Sequence, residues 1–369
     1  MRISEIHVYQ RDLPVKGGSY RTSRSGDLSV MDATIVELVT DTGLVGFGEA
    51  VPLGAVYQPE HALGARAAIT QLAPALIGLD PLPIESVRSV MDRTLTGHNY
   101  AKAAIDIALW DLAGKHYGAR VCDLLGGATR ESVPSYYAVG VMDPDESARQ
   151  AKEKLREGYP RLQIKVGARP IEEDIAVIRK VGEIMPKGAR LAIDANRGWT
   201  LRDMIFVSNQ CRDVDFIMEQ PLNTMEEIAI ARPLVNHPIY LDESTQDLGA
   251  VIRAIGSGIC DGFGLKVTRL GGLSVMRTVR ELCAVRSLPH TCDDAWGGDI
   301  IAAACVAIGA TVKPELSEGV WLAAPYIEQH YDSTNGIDIV NGWISVPTGP
   351  GLGVVPDEGV FGAPVASWG

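Results

Sequence analysis

The sequence predicts a (β/α)8 barrel preceded by an α+β capping domain, an α/β fold in two parts. Three observations carry this reading: a first block in which strands precede helices, short apolar segments that then alternate with amphipathic stretches, and charged residues ending several of those segments. The first block, 1–130, opens with strand-like alternation at Ile3–Leu13, Asp32–Thr40 and Val45–Ala50 and continues with helical periodicity at His61–Leu76, Pro83–Leu95 and Ala101–Tyr117. From about Val133 the rhythm changes. Strands are expected at Pro134–Gly140, Arg161–Val166, Arg190–Asp194, Val214–Glu219, Pro238–Asp242, Cys260–Lys266, Leu288–Asp293 and Thr311–Leu316, with helical stretches such as Asp145–Glu157, Glu172–Ile184 and Leu273–Arg286 between them. The barrel is thus expected over 131–337. The Gly- and Pro-rich tail, 338–369, has no further strand–helix unit and is expected to pack back on the capping domain.

Composition narrows the class of function. The chain has 369 residues, 46% of them hydrophobic and 22% charged, as in an ordinary globular protein. A net charge of −12 argues against a nucleic-acid backbone or an anionic membrane as partner. The start of the chain alternates like a strand and lacks the basic and apolar regions of a signal peptide. The longest apolar run, Ile300–Ala310, is far short of the roughly 20 residues needed to span a bilayer. A cytoplasmic location is therefore expected. Six scattered cysteines without a C-x-x-C pair indicate reduced, buried thiols rather than disulfides or zinc. The expected partners are a small-molecule substrate and further copies of the chain.

The chemistry is read from strand ends. Lys165, Asp194, Glu219, Asp242, Lys266 and Asp293 each close an apolar strand, and the carboxyl ends of barrel strands meet at one face. Asp194, Glu219 and Asp242 lie on consecutive strands with no His or Cys beside them. Such a hard oxygen set suits Mg²⁺, which can bind a substrate carboxylate and stabilise the charge that grows when its α-proton leaves. Asn196, two residues beyond Asp194, is positioned for an outer-shell hydrogen bond. Lys165 and Lys266 end the second and sixth strands, on opposite sides of the barrel mouth. A divalent ion, a second ammonium and desolvation together are expected to lower their pKa towards ~7–8, where an amine can take up a proton.

Gln163-Ile164-Lys165, the series Asp194, Glu219 and Asp242, and Lys266 resemble the mandelate racemase/muconate lactonizing branch of the enolase superfamily, over nearly the whole chain. That branch typically carries Lys-x-Lys at the second strand. Here Gln163 replaces the first lysine and is read as a substrate contact. His98-Asn99-Tyr100-Ala101-Lys102, Arg161-Leu162-Gln163-Ile164-Lys165 and Cys292 to Asp299 resemble the 4-hydroxyproline betaine 2-epimerases in particular. The resemblance implies Mg²⁺-dependent epimerisation of 4-hydroxyproline betaine or proline betaine, with the two lysines working on opposite faces. Its quaternary ammonium calls for aromatic faces, for which Tyr57, Trp296 and Trp321 are candidates, with Asp293 supplying opposite charge. The segment Lys16–Gly26 is expected to act as a lid.

Two alternatives stay open. The same enolate could expel a β-hydroxyl, as in a cis-3-hydroxyproline dehydratase, whose relatives also carry Gln at the first Lys-x-Lys position. A catalytically silent barrel is the other; it predicts loss of a ligand or lysine, and none is missing.

Overall fold

A computed structural model describes residues 1–22 and 26–369. Strands β1 (Ile3–Pro14), β2 (Val30–Thr40) and β3 (Val45–Ala50) pair antiparallel, and helices α1 (Ala62–Leu76), α2 (Ile84–Thr94) and α3 (Asn99–Tyr117) pack beside them. Helix α3 is buried from Tyr100 to Gly114, because β3 covers it on one side and barrel helices on another. Gly46 and Gly48 of β3 permit that approach. A Cβ on Gly48 would overlap the Ala104 carbonyl.

Six parallel strands follow: β4 (Tyr136–Val139), β5 (Arg161–Lys165), β6 (Arg190–Asp194), β7 (Ile217–Glu219), β8 (Ile239–Leu241) and β9 (Gly262–Phe263). The seventh position is held by parallel bridges from Phe263 to His290 and from Lys266 to Asp293. Bridges from His290 to Ser317 and from Ser135 to Val320 then close the barrel. The eighth strand position thus lies at 317–320, which corrects the expected Thr311–Leu316. That segment follows the end of a helix and includes a 3-10 turn at Pro314–Leu316, where proline presets the turn and has no N–H for a ladder.

The barrel helices include α4 (Pro144–Arg156), α5 (Ile171–Ile184), α6 (Leu201–Gln210), α7 (Met225–Ala231), α8 (Leu248–Ser257), α9 (Leu273–Arg286) and α10 (Asp299–Gly309). Asp143 caps α4, and Thr200 with Asp203 and Thr224 with Glu227 form capping boxes on α6 and α7. Strand β10 (Ala366–Trp368) returns to pair antiparallel with β1. All six cysteines are free and buried. Among the described residues no helix is long and apolar enough to cross a membrane. Of the segment expected as a lid, Tyr20–Thr22 and Gly26–Leu28 form a short antiparallel ribbon with Tyr20 buried; Ser23, Arg24 and Ser25 lie outside the described residues.

One buried carboxylate ties the amino-terminal sheet to the barrel. Glu49, in β3, accepts hydrogen bonds from the backbone N–H of Gly298 at 2.8 Å and of Ile301 at 3.0 Å, and from Tyr331 Oη at 2.9 Å. Burial pushes its carboxyl up from 4.5 to about 7, although those three donors oppose the shift. The folded state therefore binds this proton more tightly than the unfolded chain does. Its contribution to stability is present below about pH 4.5 and is lost as the pH rises through about 7. Glu49→Gln removes the titration. Urea unfolding from pH 4 to 8 is expected to show wild-type stability declining relative to the variant across that window, whereas parallel pH curves would contradict the assignment.

Candidate active site

Strand register assembles the acidic cluster. Lys165 lies opposite Asp194, Asp194 opposite Glu219, and Glu219 opposite Tyr240, with Asp242 one residue past the end of β8. One carboxylate oxygen from each of Asp194, Glu219 and Asp242 falls within 4.8 Å of the others, and all three residues are buried. Each has a cation beside it: Lys165 Nζ is 2.5 Å from Asp194 Oδ2, Arg269 Nη1 is 2.7 Å from Asp242 Oδ1, and Arg161 Nη2 is 3.5 Å from Glu219 Oε2. Burial, then the charges of Asp194 and Asp242, push Glu219 up to about 7. Burial also acts to raise Asp242, but Lys266 and Arg269 outweigh it and bring its carboxyl down to about 2.

The cluster fits a magnesium ion. Its donors are all carboxylate oxygens, and Glu219 Oε1 has no hydrogen-bond partner among the described residues despite being buried. Gly264 preserves that opening, since a Cβ there would stand 2.9 Å from Glu219 Oε1. Asp194, Glu219 and Asp242 thus form a divalent-metal site for Mg²⁺. Asn196 donates its backbone N–H to Asp194 Oδ1 at 2.8 Å and its side-chain amide to Glu243 Oε1 at 3.1 Å, so it braces the cluster from outside.

Lys165 and Lys266 are both buried and line the same cavity. The protein's own groups act on both amines in the opposite direction to the divalent ion that the sequence expectation included. Burial lowers both ammonium groups, but Asp194 beside Lys165, and Asp242 and Asp293 beside Lys266, outweigh it and hold both above the ordinary lysine range. The expectation of ~7–8 counted the ion's charge, whereas the protein's own charges here are mostly acidic.

The other expected residues divide between the cavity wall and the layer behind it. Tyr57, Gln163 and Trp321 line the cavity. The Tyr57 hydroxyl donates to Asp242 Oδ2 at 2.8 Å, and the Gln163 amide donates to Glu219 Oε2 at 2.8 Å, so both polar groups are committed to metal ligands. Asp293 and Trp296 are not in the lining. The Asp293 carboxylate receives Tyr136 Oη at 2.8 Å, Thr291 Oγ1 at 2.5 Å and the backbone N–H of Trp321 at 2.6 Å, and faces Lys266 at 3.4 Å. Trp296 packs behind Trp321, with ring centroids 5.6 Å apart. Tyr20, Tyr136 and Asp294 line the wall without having been singled out in the sequence. Tyr20 comes from the amino-terminal ribbon and meets Trp296 at 5.2 Å, a contact that no local pattern announces. Glu243 was legible only as the acid following Asp242; burial and the charges of Asp242 and Asp194 push it up to about 8.

Occupation of the metal site is expected to stabilise the fold by mass action. Thermal unfolding in saturating Mg²⁺ should have a midpoint a few degrees above that in a chelator, and Asp242→Asn should abolish the difference. An equal shift in that variant would contradict the ligand assignment.

Comparison with known proteins agrees with this geometry. Residues 146–360 match the enolase C-terminal domain-like family, and residues 21–126 match the mandelate racemase/muconate lactonizing enzyme N-terminal domain. The chain is 37% identical over 375 residues to the cis-3-hydroxy-L-proline dehydratase of Roseibium aggregatum, covering 100% of both proteins. It is 32% identical to the hydrophobic dipeptide epimerase of Enterococcus faecalis, covering 77% of this chain and 79% of that one. The crystal structure of an enolase-superfamily member from Roseovarius nubinhibens ISM complexed with magnesium superimposes with a TM-score of 0.94 at 33% identity, over 100% of this chain and 99% of that one. The registered carboxylates, the barrel that presents them and these matches together place the chain in the mandelate racemase/muconate lactonizing branch of the enolase superfamily, as a Mg²⁺-dependent enzyme whose acidic triad stabilises an enolate.

Proposed function

We propose that the enzyme removes water from a 3-hydroxylated proline, with cis-3-hydroxy-L-proline as substrate and Lys165 and Lys266 as the base and acid. The observation that carries this reading is the placement of Lys165 at the end of the second barrel strand and Lys266 just past the sixth, so that both amines line one cavity from separate sides of the barrel. In a cis-3-hydroxyproline the carboxylate and the hydroxyl share one face of the ring. The α-proton and the hydroxyl therefore lie on opposite faces. One amine takes the α-proton, the electron pair forms the C2–C3 double bond, the C3–O bond breaks, and the opposed ammonium protonates the departing oxygen as water. The resulting enamine tautomerises to a cyclic imine. Bound by the triad, Mg²⁺ supplies the positive charge that stabilises the enolate and favours a neutral amine at the base. The full-length likeness to the Roseibium aggregatum dehydratase supports this substrate.

A second reading is 2-epimerisation of 4-hydroxyproline betaine or proline betaine, in which the opposed lysine returns a proton to the α-carbon. The rings of Tyr20, Tyr57, Tyr136 and Trp321 in the cavity wall favour it, because aromatic faces attract a quaternary ammonium by ~0.5–2 kcal/mol each. In either reading Tyr57, Gln163 and Trp321 contact the substrate, while Trp296 supports the aromatic wall and Asp293 supplies negative charge from behind Lys266.

Proton NMR in D₂O separates the two. With Mg²⁺ and cis-3-hydroxy-L-proline, the α-proton signal is expected to disappear as the cyclic imine forms. Exchange confined to the betaines, with no imine from the hydroxyproline, would transfer the assignment to the epimerase. Absence of turnover and exchange with every one of these compounds would overturn both.

A further inference from the structure

The inward face of β5 carries three polar side chains in alternate positions, Arg161, Gln163 and Lys165, and only the last ends the strand. Arg161 is 3% exposed and sits beneath the metal cluster. Its Nη1 donates to the Glu318 carbonyl at 2.8 Å, its guanidinium lies 4.5 Å from the centroid of the Tyr136 ring, and its Nη2 approaches Glu219 Oε2 at 3.5 Å. The Gln163 amide donates to that same oxygen at 2.8 Å. One hydrogen bond, from Gln163, and one ion pair, from an Arg161 Nη2 that makes no hydrogen bond among the described residues, therefore converge on Glu219 Oε2, while Oε1, on the other side of the carboxylate, has no hydrogen-bond partner among the described residues.

We propose that Arg161 and Gln163 form a cradle that holds Glu219 by one oxygen and so presents the other to the metal ion. Arg161 is a positioning residue in this arrangement: it acts on the ion through Glu219. The position of Gln163 gains a physical reason, since its neutral amide gives Glu219 a directional hydrogen bond while Arg161, one layer deeper, supplies positive charge. Glu318 keeps the guanidinium in place. It offers its carbonyl to Nη1, and its carboxylate receives Tyr240 Oη at 2.9 Å and pairs with Arg190 at 2.8 Å.

A charge effect and a positioning effect predict opposite signs. If Arg161 acted only as a nearby positive charge, its removal would reduce repulsion and tighten Mg²⁺ binding. If it holds Glu219 in the ligating orientation, removal weakens binding, by about 10-fold or more as for other residues that orient metal ligands. Calorimetric titration of the substrate-free, full-length protein with Mg²⁺ tests this in Arg161→Met, Arg161→Lys and Gln163→Met. The expected result is a dissociation constant raised about 10-fold in R161M and at least about threefold in Q163M, with R161K recovering much of the loss. The unfolding midpoint in a chelator should fall less than the Mg²⁺-induced increment does. Binding in R161M as tight as in the wild type, or tighter, overturns the proposal. Should R161M not fold, unchanged affinity in Q163M overturns it equally.

Discussion

Three carboxylates confined within 4.8 Å of one another are the constraint around which the barrel is organised. At such spacing each pair repels by about 4 kcal/mol at the effective dielectric constant of a protein, and burial removes the water that would relieve it. The protein answers with cations of its own: Lys165 at Asp194, Arg269 at Asp242 and Arg161 near Glu219. These groups balance the cluster without filling it. One oxygen of Glu219 has no hydrogen-bond partner among the described residues, and Gly264 leaves room beside it.

The rest of the architecture serves that cluster. Parallel strands in register bring residues from distant parts of the sequence to one rim, which no single helix or hairpin could do. The amino-terminal block closes the mouth by lending Tyr20, Leu53 and Tyr57 to the cavity wall. Glu49 fastens that block to the loop carrying Trp296, and the final strand returns to the amino-terminal sheet. The cavity wall thus draws on parts that are far apart in sequence but meet at one surface.

Much of this was legible in the sequence because the responsible forces are local and repetitive. An apolar run ending in Asp194, Glu219 or Asp242 announces a buried strand and the polar group at its tip. The eighth strand position was misplaced because its pairing consists of isolated bridges around Gly319, which leave no run of alternating residues to read. Asp293 and Trp296 were expected at the cavity wall and lie behind it, since tertiary packing decides which side chain stands in front. Arg161 begins its strand rather than ending it, so the rule that exposed Lys165 passed over it. Tyr20 reaches the site only through the approach of the amino-terminal ribbon, which leaves no periodic trace.

The central claim is that two amines address one substrate from opposite faces, one at the α-proton and the other at the leaving hydroxyl, while the acidic triad holds the ion that acidifies the α-carbon. Imine formation and solvent deuterium exchange with cis-3-hydroxy-L-proline, measured in Lys165→Met and Lys266→Met with Mg²⁺, test it most directly. The account predicts that both variants lose imine formation and that only the variant lacking the base also loses exchange at the α-carbon. Imine formation at the wild-type rate in either variant would contradict it.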